Sequence, residues 1–292
     1  MDSFSVVITT KNRDFYLKRA LASIVNNSIQ PNEVIVVNDG GSVPLINEFS
    51  PFLNVRVINN SESMGANYCR NLGITSTVTN NIFLLDDDDV FRPESFKSRL
   101  DIASKHTNYG LVFTGANVCL SSNLDKCIRR ILPLNKPNPY LSLVTTGNFI
   151  GSTSRVLLNK SAFINVGLFD EELEALQDYD LWIRIARQYE IFADKYCGID
   201  YTIHTEGNQT SNSIVKYTKA VSYLSRKYSH LPANDFRKFE ANLYYRLAIC
   251  SSGKSYMSTV DNIFKSVSLH FSFKKLALLI PNKLLRLFKP FT

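Results

Sequence analysis

The chain is 292 residues long, with 45% apolar and 20% charged residues and a formal charge of +7. That length accommodates one large domain, or a domain with a smaller appendage, and the composition excludes a disordered polypeptide. The five cysteines (Cys69, Cys119, Cys127, Cys197 and Cys250) are odd in number and contain no Cys-x-x-Cys pair, which excludes a disulfide framework or zinc ribbon and suits a reducing, cytoplasmic setting.

FSVVIT, residues 4–9, is a β-branched run of the kind buried on both faces of a sheet. It starts too near Met1 to leave room for a signal peptide. TTKNRD follows without a glycine, which excludes the G-x-G-x-x-G dinucleotide fingerprint and the glycine-rich loop of a sugar nucleotidyltransferase. DFYLKRALASIVNNS then places Leu17, Ala20, Leu21, Ile24 and Val25 at helical spacing, with Asp14 as the expected N-cap. EVIVVNDGG is a second buried strand ending in Asp39 and two glycines, which permit close backbone approach to a ligand. NVRVINN reads as a third strand, GANYCRNLGI as a short helix carrying Arg70 and Asn71, and NNIFLLD as a fourth strand. This alternation predicts an α/β fold with a mostly parallel sheet and helices on both faces. Ligands of such sheets bind at the carboxyl ends of the strands, where TTKNRD, NDGGS and DDDD all fall.

From 101 to 213 the pattern is less regular: one strand (GLVFTGANV), a Pro/Asn-rich loop (LPLNKPNPY) and a helix beginning near Gln177. Beyond residue 214 it is helical and basic. Residues 214–292 hold 14 Lys+Arg against 3 Asp+Glu, whereas 1–213 hold 19 against 23. The expected organisation is therefore a domain over 1–213, followed by a basic helical extension over 214–292.

Asp86–Asp89 directly follow a buried strand. Neighbouring carboxylates repel by about 1 kcal/mol at 4 Å in water and several-fold more near a protein interior, so a cation is the natural relief. Extended backbone would turn Asp86 and Asp88 to one side and Asp87 and Asp89 to the other. Two same-side carboxylates beside a phosphate suit Mg²⁺ or Mn²⁺. FDEELEALQDYDLWIRIARQY places Asp178 and Asp180 in a first helical turn, where the dipole favours carboxylates and where one of them can serve as a general base. His204 stands in YTIHTEGNQTSN, one of four histidines.

In this order, SVVITTKNR, VIVVNDGGS, MGANYCRNLGI, IFLLDDDDVFRPE and GLFDEELEALQDYDLWIRIA resemble glycosyltransferase family 2, the inverting enzymes of GT-A fold, including those that build bacterial O-antigen and capsule. The resemblance covers about residues 4–190. It implies that Asp86 and Asp88 form the Asp-x-Asp motif, holding Mn²⁺ or Mg²⁺ on the diphosphate of a nucleotide sugar, with Asp88 the direct ligand and Asp87 beside them in the donor site. It further implies that Asp39 recognises uracil, that Thr10 and Arg13 line the nucleotide pocket, and that Arg70 positions the nucleotide. Asp178 matches the catalytic base, and His204 lies where some members place a histidine near the metal. The family often has Glu-Asp at the catalytic motif; here it is Gln177-Asp178.

The last stretch, FSFKKLALLIPNKLLRLFKPF, mixes eleven large apolar side chains, among them Phe271, Phe273, Leu276, Leu279, Ile280, Leu284, Leu285, Leu287 and Phe288, with five basic ones. No uncharged run approaches the roughly 18–20 residues of a membrane span, so this segment reads either as an interfacial element on anionic lipid or as a helix packed on the domain. A lipid-linked saccharide acceptor would suit the first. Nucleic acid is not an expected partner, because no binding module accompanies the charge.

Overall fold

The computed structural model describes residues 3–204 and 213–279. The first half runs β1 (Phe4–Thr10), α1 (Asp14–Val25), β2 (Glu33–Asn38), β3 (Val55–Asn59), α2 (Ala66–Thr75), β4 (Asn81–Asp86), β5 (Val90–Phe91) and α3 (Ser95–Ala103). The second runs β6 (Tyr109–Leu120), β7 (Asn123–Ile131), α4 (Pro139–Thr146), β8 (Val156–Asn159), α5 (Lys160–Asn165), α6 (Gln177–Gln188) and β9 (Glu190–Ile203). Helices α7 (Ile214–Lys227), α8 (Ala233–Ser251), α9 (Tyr256–Leu269) and α10 (Phe273–Leu276) follow.

The strands form one sheet in the order β3-β2-β1-β4-β8-β6-β9-β5, with β7 hydrogen-bonded to β6. The pairs β1–β2, β2–β3, β1–β4 and β6–β9 are parallel, as the strand–helix alternation implies. The sheet as a whole is mixed, because β8 runs antiparallel between β4 and β6. β7 is antiparallel for a local reason: only Ser121 and Ser122 separate it from β6, too few residues for a crossover. Its exposed Lys126, Arg129 and Arg130 protect an edge that apolar side chains would leave open to another strand.

Val6, Ile8, Val34, Val36, Phe83 and Leu85 face Leu17, Leu21 and Ile24 of α1 and Phe96 of α3 in a continuous core. The close fit extends to the other side of the sheet. A Cβ added at Gly73 of α2 would lie 2.4 Å from Val7 Cγ1, so glycine permits this helix to sit directly on β1. One local expectation is corrected: Arg13, not Asp14, occupies the N-cap of α1, and it makes no capping bond because its guanidinium turns into the polar edge of the sheet.

By their contacts the described residues group into two compact units. One comprises 3–139, 149–172 and 177–204; the other comprises 140–148, 173–176 and 213–279. In the second unit, Asn242 and Arg246 of α8 hold the carbonyls of Val144 and Asn148. Among the described residues no helix is long and apolar enough to cross a membrane.

Candidate active site

Parallel register builds the floor of the site. Thr10 pairs with Asn38 across β1–β2, and Thr9 pairs with Asp86 across β1–β4, so three strands end side by side. After β1, Asn12 adopts a left-handed conformation (φ 54°) that asparagine tolerates, and its Oδ1 accepts the Ser42 amide. That turn delivers Arg13. Its Nη1 donates to Asp87 Oδ1 at 2.7 Å and Asp88 Oδ2 at 3.1 Å, and its Nη2 lies 2.8 Å from His204 Nε2.

Strand pairing stops at Asp86, yet burial continues to alternate: Asp86 and Asp88 are half-buried, Asp87 and Asp89 buried. Asp87 also accepts the Thr10 hydroxyl at 2.8 Å. Burial pushes its pKa up to about 6, with Asp88 and Asp86 adding to the rise and Arg13 and Thr10 opposing it. Asp89 accepts the Thr202 amide at 2.9 Å, and its pKa stands well above the ordinary value, chiefly through burial and then through Asp88 and Asp86. Asp88 is tied through its carbonyl, which takes the Thr202 hydroxyl at 2.5 Å and Arg19 Nη1 at 3.2 Å. β9 thus anchors the acidic turn and leads directly to His204.

Arg70, from α2, is buried, and its Nη2 donates to Asp86 Oδ1 at 2.7 Å. Its Nη1 is buried with no partner among the described residues, and its guanidinium lies over the Phe169 ring at 5.8 Å. An uncompensated buried guanidinium N–H is costly, so this nitrogen is available to an added acceptor. Thr153 holds both oxygens of Asp86 at 3.2 Å, and Ser154 Oγ accepts its amide.

Asp39 organises the neighbouring loop. It takes the Ser63 hydroxyl and Met64 amide at 2.7 Å each, the Gly65 amide at 3.1 and 3.2 Å, and the Cys69 thiol at 3.2 Å. Burial acts to raise its pKa, but these donors outweigh it and hold the carboxyl below its ordinary value.

At the head of α6 the two aspartates part ways. Asp180 is fully buried and pairs with Arg184, whose Nη1 and Nη2 also hold the carbonyls of Val166 and Leu168. Asp178 is half-buried, and its Oδ1 accepts the Tyr179 amide at 2.7 Å. Tyr201 of β9 joins Asp178 to the acidic turn. Its phenol pKa is raised by burial first, then by the charges of Asp89, Asp86, Asp88 and Asp178.

Thr10, Arg13, Asp87, Asp88 and His204 are thus in direct contact, and Arg70 and Asp86 form an adjacent pair. Asp178 stands at the head of α6, where its field and those of Asp86, Asp88 and Asp89 all reach Tyr201, whereas Asp39 is engaged in its own loop. Sequence reasoning missed Thr153, Ser154, Thr202 and Tyr201; single hydroxyls with no pattern around them give no signal.

No three His, Cys, Asp or Glu side chains stand ready to hold one metal ion together among the described residues. Different arginines hold the two carboxylates expected to share it, Arg70 on Asp86 and Arg13 on Asp88. The donor chemistry nonetheless fits a hard or borderline divalent ion. His204 Nε2 lies 2.8 Å from both Arg13 Nη2 and Asp88 Oδ2, and one nitrogen cannot accept from the first while donating to the second. When Nε2 accepts from Arg13, its lone pair and the carboxylate share a contact that a cation relieves.

The family model described as "Glycosyltransferase like family 2" matches residues 5–245. An uncharacterized glycosyltransferase of Haemophilus influenzae is 24% identical over 250 residues, covering 84% of this chain and 83% of its own. A UDP-Gal:alpha-D-GlcNAc-diphosphoundecaprenol beta-1,3-galactosyltransferase of Escherichia coli is 25% identical over 187 residues, covering 62% and 66%. Among solved structures, S. aureus TarS residues 1–349 with UDP-GlcNAc superposes with a TM-score of 0.67 at 15% identity, over 95% of this chain and 84% of that one. The mannosyltransferase PcManGT of Pyrobaculum calidifontis, with GDP-Man and Mn²⁺, gives 0.60 at 13% identity, over 98% and 81%. These likenesses establish the GT-A type of fold.

Proposed function

The chain belongs to glycosyltransferase-like family 2 and is a glycosyltransferase, and from that premise we propose that it is inverting and metal-dependent, moving a sugar from a UDP-sugar to a hydroxyl of a lipid-linked saccharide in surface-polysaccharide synthesis. The buried Arg70 carries the reading: it spends one nitrogen on Asp86 and leaves the other for an anionic ligand at the carboxyl ends of parallel strands. The names of the E. coli relative and the UDP-GlcNAc complex support the choice of donor and acceptor class.

On this reading residues 1–100 hold the nucleotide and 101–213 the acceptor. Thr10, Arg13 and Asp39 line the nucleotide, while Arg70, Asp86 and Asp87 bind the donor. Asp88 and His204, with Asp86, would hold Mn²⁺ or Mg²⁺, which when bound would supply positive charge to balance that of the departing diphosphate. Asp178 takes the proton from the acceptor hydroxyl as that oxygen attacks the anomeric carbon from the face opposite the diphosphate. A single displacement with one base leaves no covalent intermediate and inverts configuration, so an α-linked donor gives a β-linked product.

The same reading places the protein in the cytoplasm, against the inner membrane face. Residues 214–292 are strongly basic, α9 exposes Met257 (80%) and Phe264 (70%), and α10 exposes Phe273 (81%), a combination suited to anionic lipid. Loss of co-sedimentation with phosphatidylglycerol vesicles in Met257→Asp/Phe264→Asp would support this placement; unchanged binding would overturn it.

The primary test is a panel of nucleotide sugars with Mn²⁺, following nucleoside diphosphate release with and without EDTA, alongside Asp88→Asn and Asp178→Asn. UDP release from one donor, abolished by EDTA and by both substitutions, is the expected result. Release that survives EDTA overturns metal dependence, and full activity in Asp178→Asn overturns the assignment of the base.

A further inference from the structure

Helix α2 buries Asn67, Arg70 and Asn71, residues i, i+3 and i+4 on one face, where packing alone would favour aliphatic side chains. A buried amide costs about 1–3 kcal/mol unless its hydrogen bonds are made. Asn71 makes them with one short segment: its Oδ1 accepts the Phe169 amide at 2.9 Å, and its Nδ2 donates to the Phe169 carbonyl at 3.0 Å and to Glu171 Oε1 at 2.8 Å. Asn67 adds a bond to the Asp170 carbonyl at 2.9 Å. A side chain that both donates to and accepts from a single residue's backbone fixes that residue as a strand partner would. Phe169 is also where two other groups meet. Its ring lies beneath the Arg70 guanidinium and 6.5 Å, edge-on, from Trp182, one turn beyond Asp178 on α6.

We propose that Asn71 is a positioning residue: by locking Phe169 between Arg70 and Trp182, it couples donor diphosphate bound at Arg70 to the placement of Asp178. This rests on the transferase reading above. Arg70 faces Asp86 of the donor site, and Asn71 lies next to it in sequence. A diphosphate oxygen taken by Arg70 Nη1 would pin the guanidinium above Phe169. The Asn71 bonds would then hold the 169–171 segment, and the helix it leads into, in one place.

The test is amide hydrogen exchange of the full chain, with and without UDP and Mn²⁺, in the wild type, Asn71→Ala and Asn71→Asp. The aspartate can still accept the Phe169 amide but repels the Phe169 carbonyl, so it should behave like alanine. In the wild type, UDP should slow exchange across residues 166–182. In both variants that protection should disappear while UDP affinity stays within about threefold, and transfer should show kcat down about 100-fold with donor KM little changed. A purely structural role would lower Tm and UDP affinity together without separating them from protection. If Asn71→Ala does not fold, Glu171→Ala, which removes only one of the three bonds from exposed surface, should give partial loss of the UDP effect. Wild-type binding of UDP without protection at 166–182 overturns the coupling alone, as does protection that persists in the variants. Failure of the wild type to bind UDP overturns the UDP-donor reading and the coupling with it.

Discussion

Replacing Asp180 with asparagine should destabilise the protein and leave its base intact, whereas the same change at Asp178 should do the reverse. The Asp180 side chain is 0% accessible and meets Arg184, itself 18% accessible, at 2.8 and 2.9 Å. Removing one partner of a buried ion pair costs about 3–5 kcal/mol, and a hydrogen bond to a charged group about 1.5–3 kcal/mol. Asparagine keeps the shape and one acceptor oxygen, and Arg184 retains the Val166 and Leu168 carbonyls at 2.6 and 2.7 Å, so about 3 kcal/mol is the expected loss. At about 2–4 °C per kcal/mol for a unit of this size, Tm should fall by roughly 6–12 °C. Asp178→Asn, at a half-buried position, should keep Tm within about 2 °C and lose roughly 10²- to 10⁴-fold in transfer, the usual worth of a general base. Thermal melts and single-turnover transfer on both variants decide the matter. Full stability with lost chemistry in Asp180→Asn, combined with retained chemistry in Asp178→Asn, would exchange the two roles and refute the reasoning.

Gly73→Ala should cost about 1–3 kcal/mol in denaturant unfolding, because its Cβ would meet Val7 Cγ1 at 2.4 Å; adding Val7→Ala should recover part of that loss. Arg70→Lys should weaken UDP binding by about tenfold in calorimetry, since one ammonium cannot hold Asp86 and an anionic ligand with the same fork. The folded-state pKa of Asp39 is depressed, so its ionised form favours folding above the unfolded value of about 3.9, and that contribution fades as pH falls through the folded one. The stability gap between wild type and Asp39→Asn should therefore be present at pH 7 and close progressively as pH falls below the unfolded value; a gap independent of pH would contradict the depressed pKa.

The parallel half of the sheet was readable because β1, β2 and β4 are Val/Ile/Leu/Phe runs that only a doubly covered sheet can bury. β7 and β8 were not. NLDKCIRRI has no apolar alternation, since it lies on an exposed edge, and VLLN is four residues long. In the site, Asp86–Asp89 declared themselves through a repulsion that only a partner cation or burial relieves. Their supporting hydroxyls did not, because Thr153 and Thr202 are isolated residues whose role depends on where distant strands bring them. Asp178 and Asp180 show the same limit. Sequence puts both in the first turn of a helix, and only the packing of Arg184 against 166–168 distinguishes the buried structural carboxylate from the accessible one. Asn71, adjacent to an arginine that drew notice, gave no sign that it grips a loop 98 residues away.

The segment 140–148 belongs with helices made much later in the chain. Val144 and Asn148 each receive their bond from a residue 98 positions downstream. At a synthesis rate of about 5–20 residues per second, those carbonyls wait about 5–20 s on a growing chain before their partners exist. During that interval Leu143 and Val144, buried in the finished fold, are without the α8 residue that bonds to this segment. The polypeptide between the two halves of this contact is the stretch that holds Asp178, so a ribosome stalled just past α6 would present a chain that already carries Asp178 while its second unit is still open to holdase chaperones.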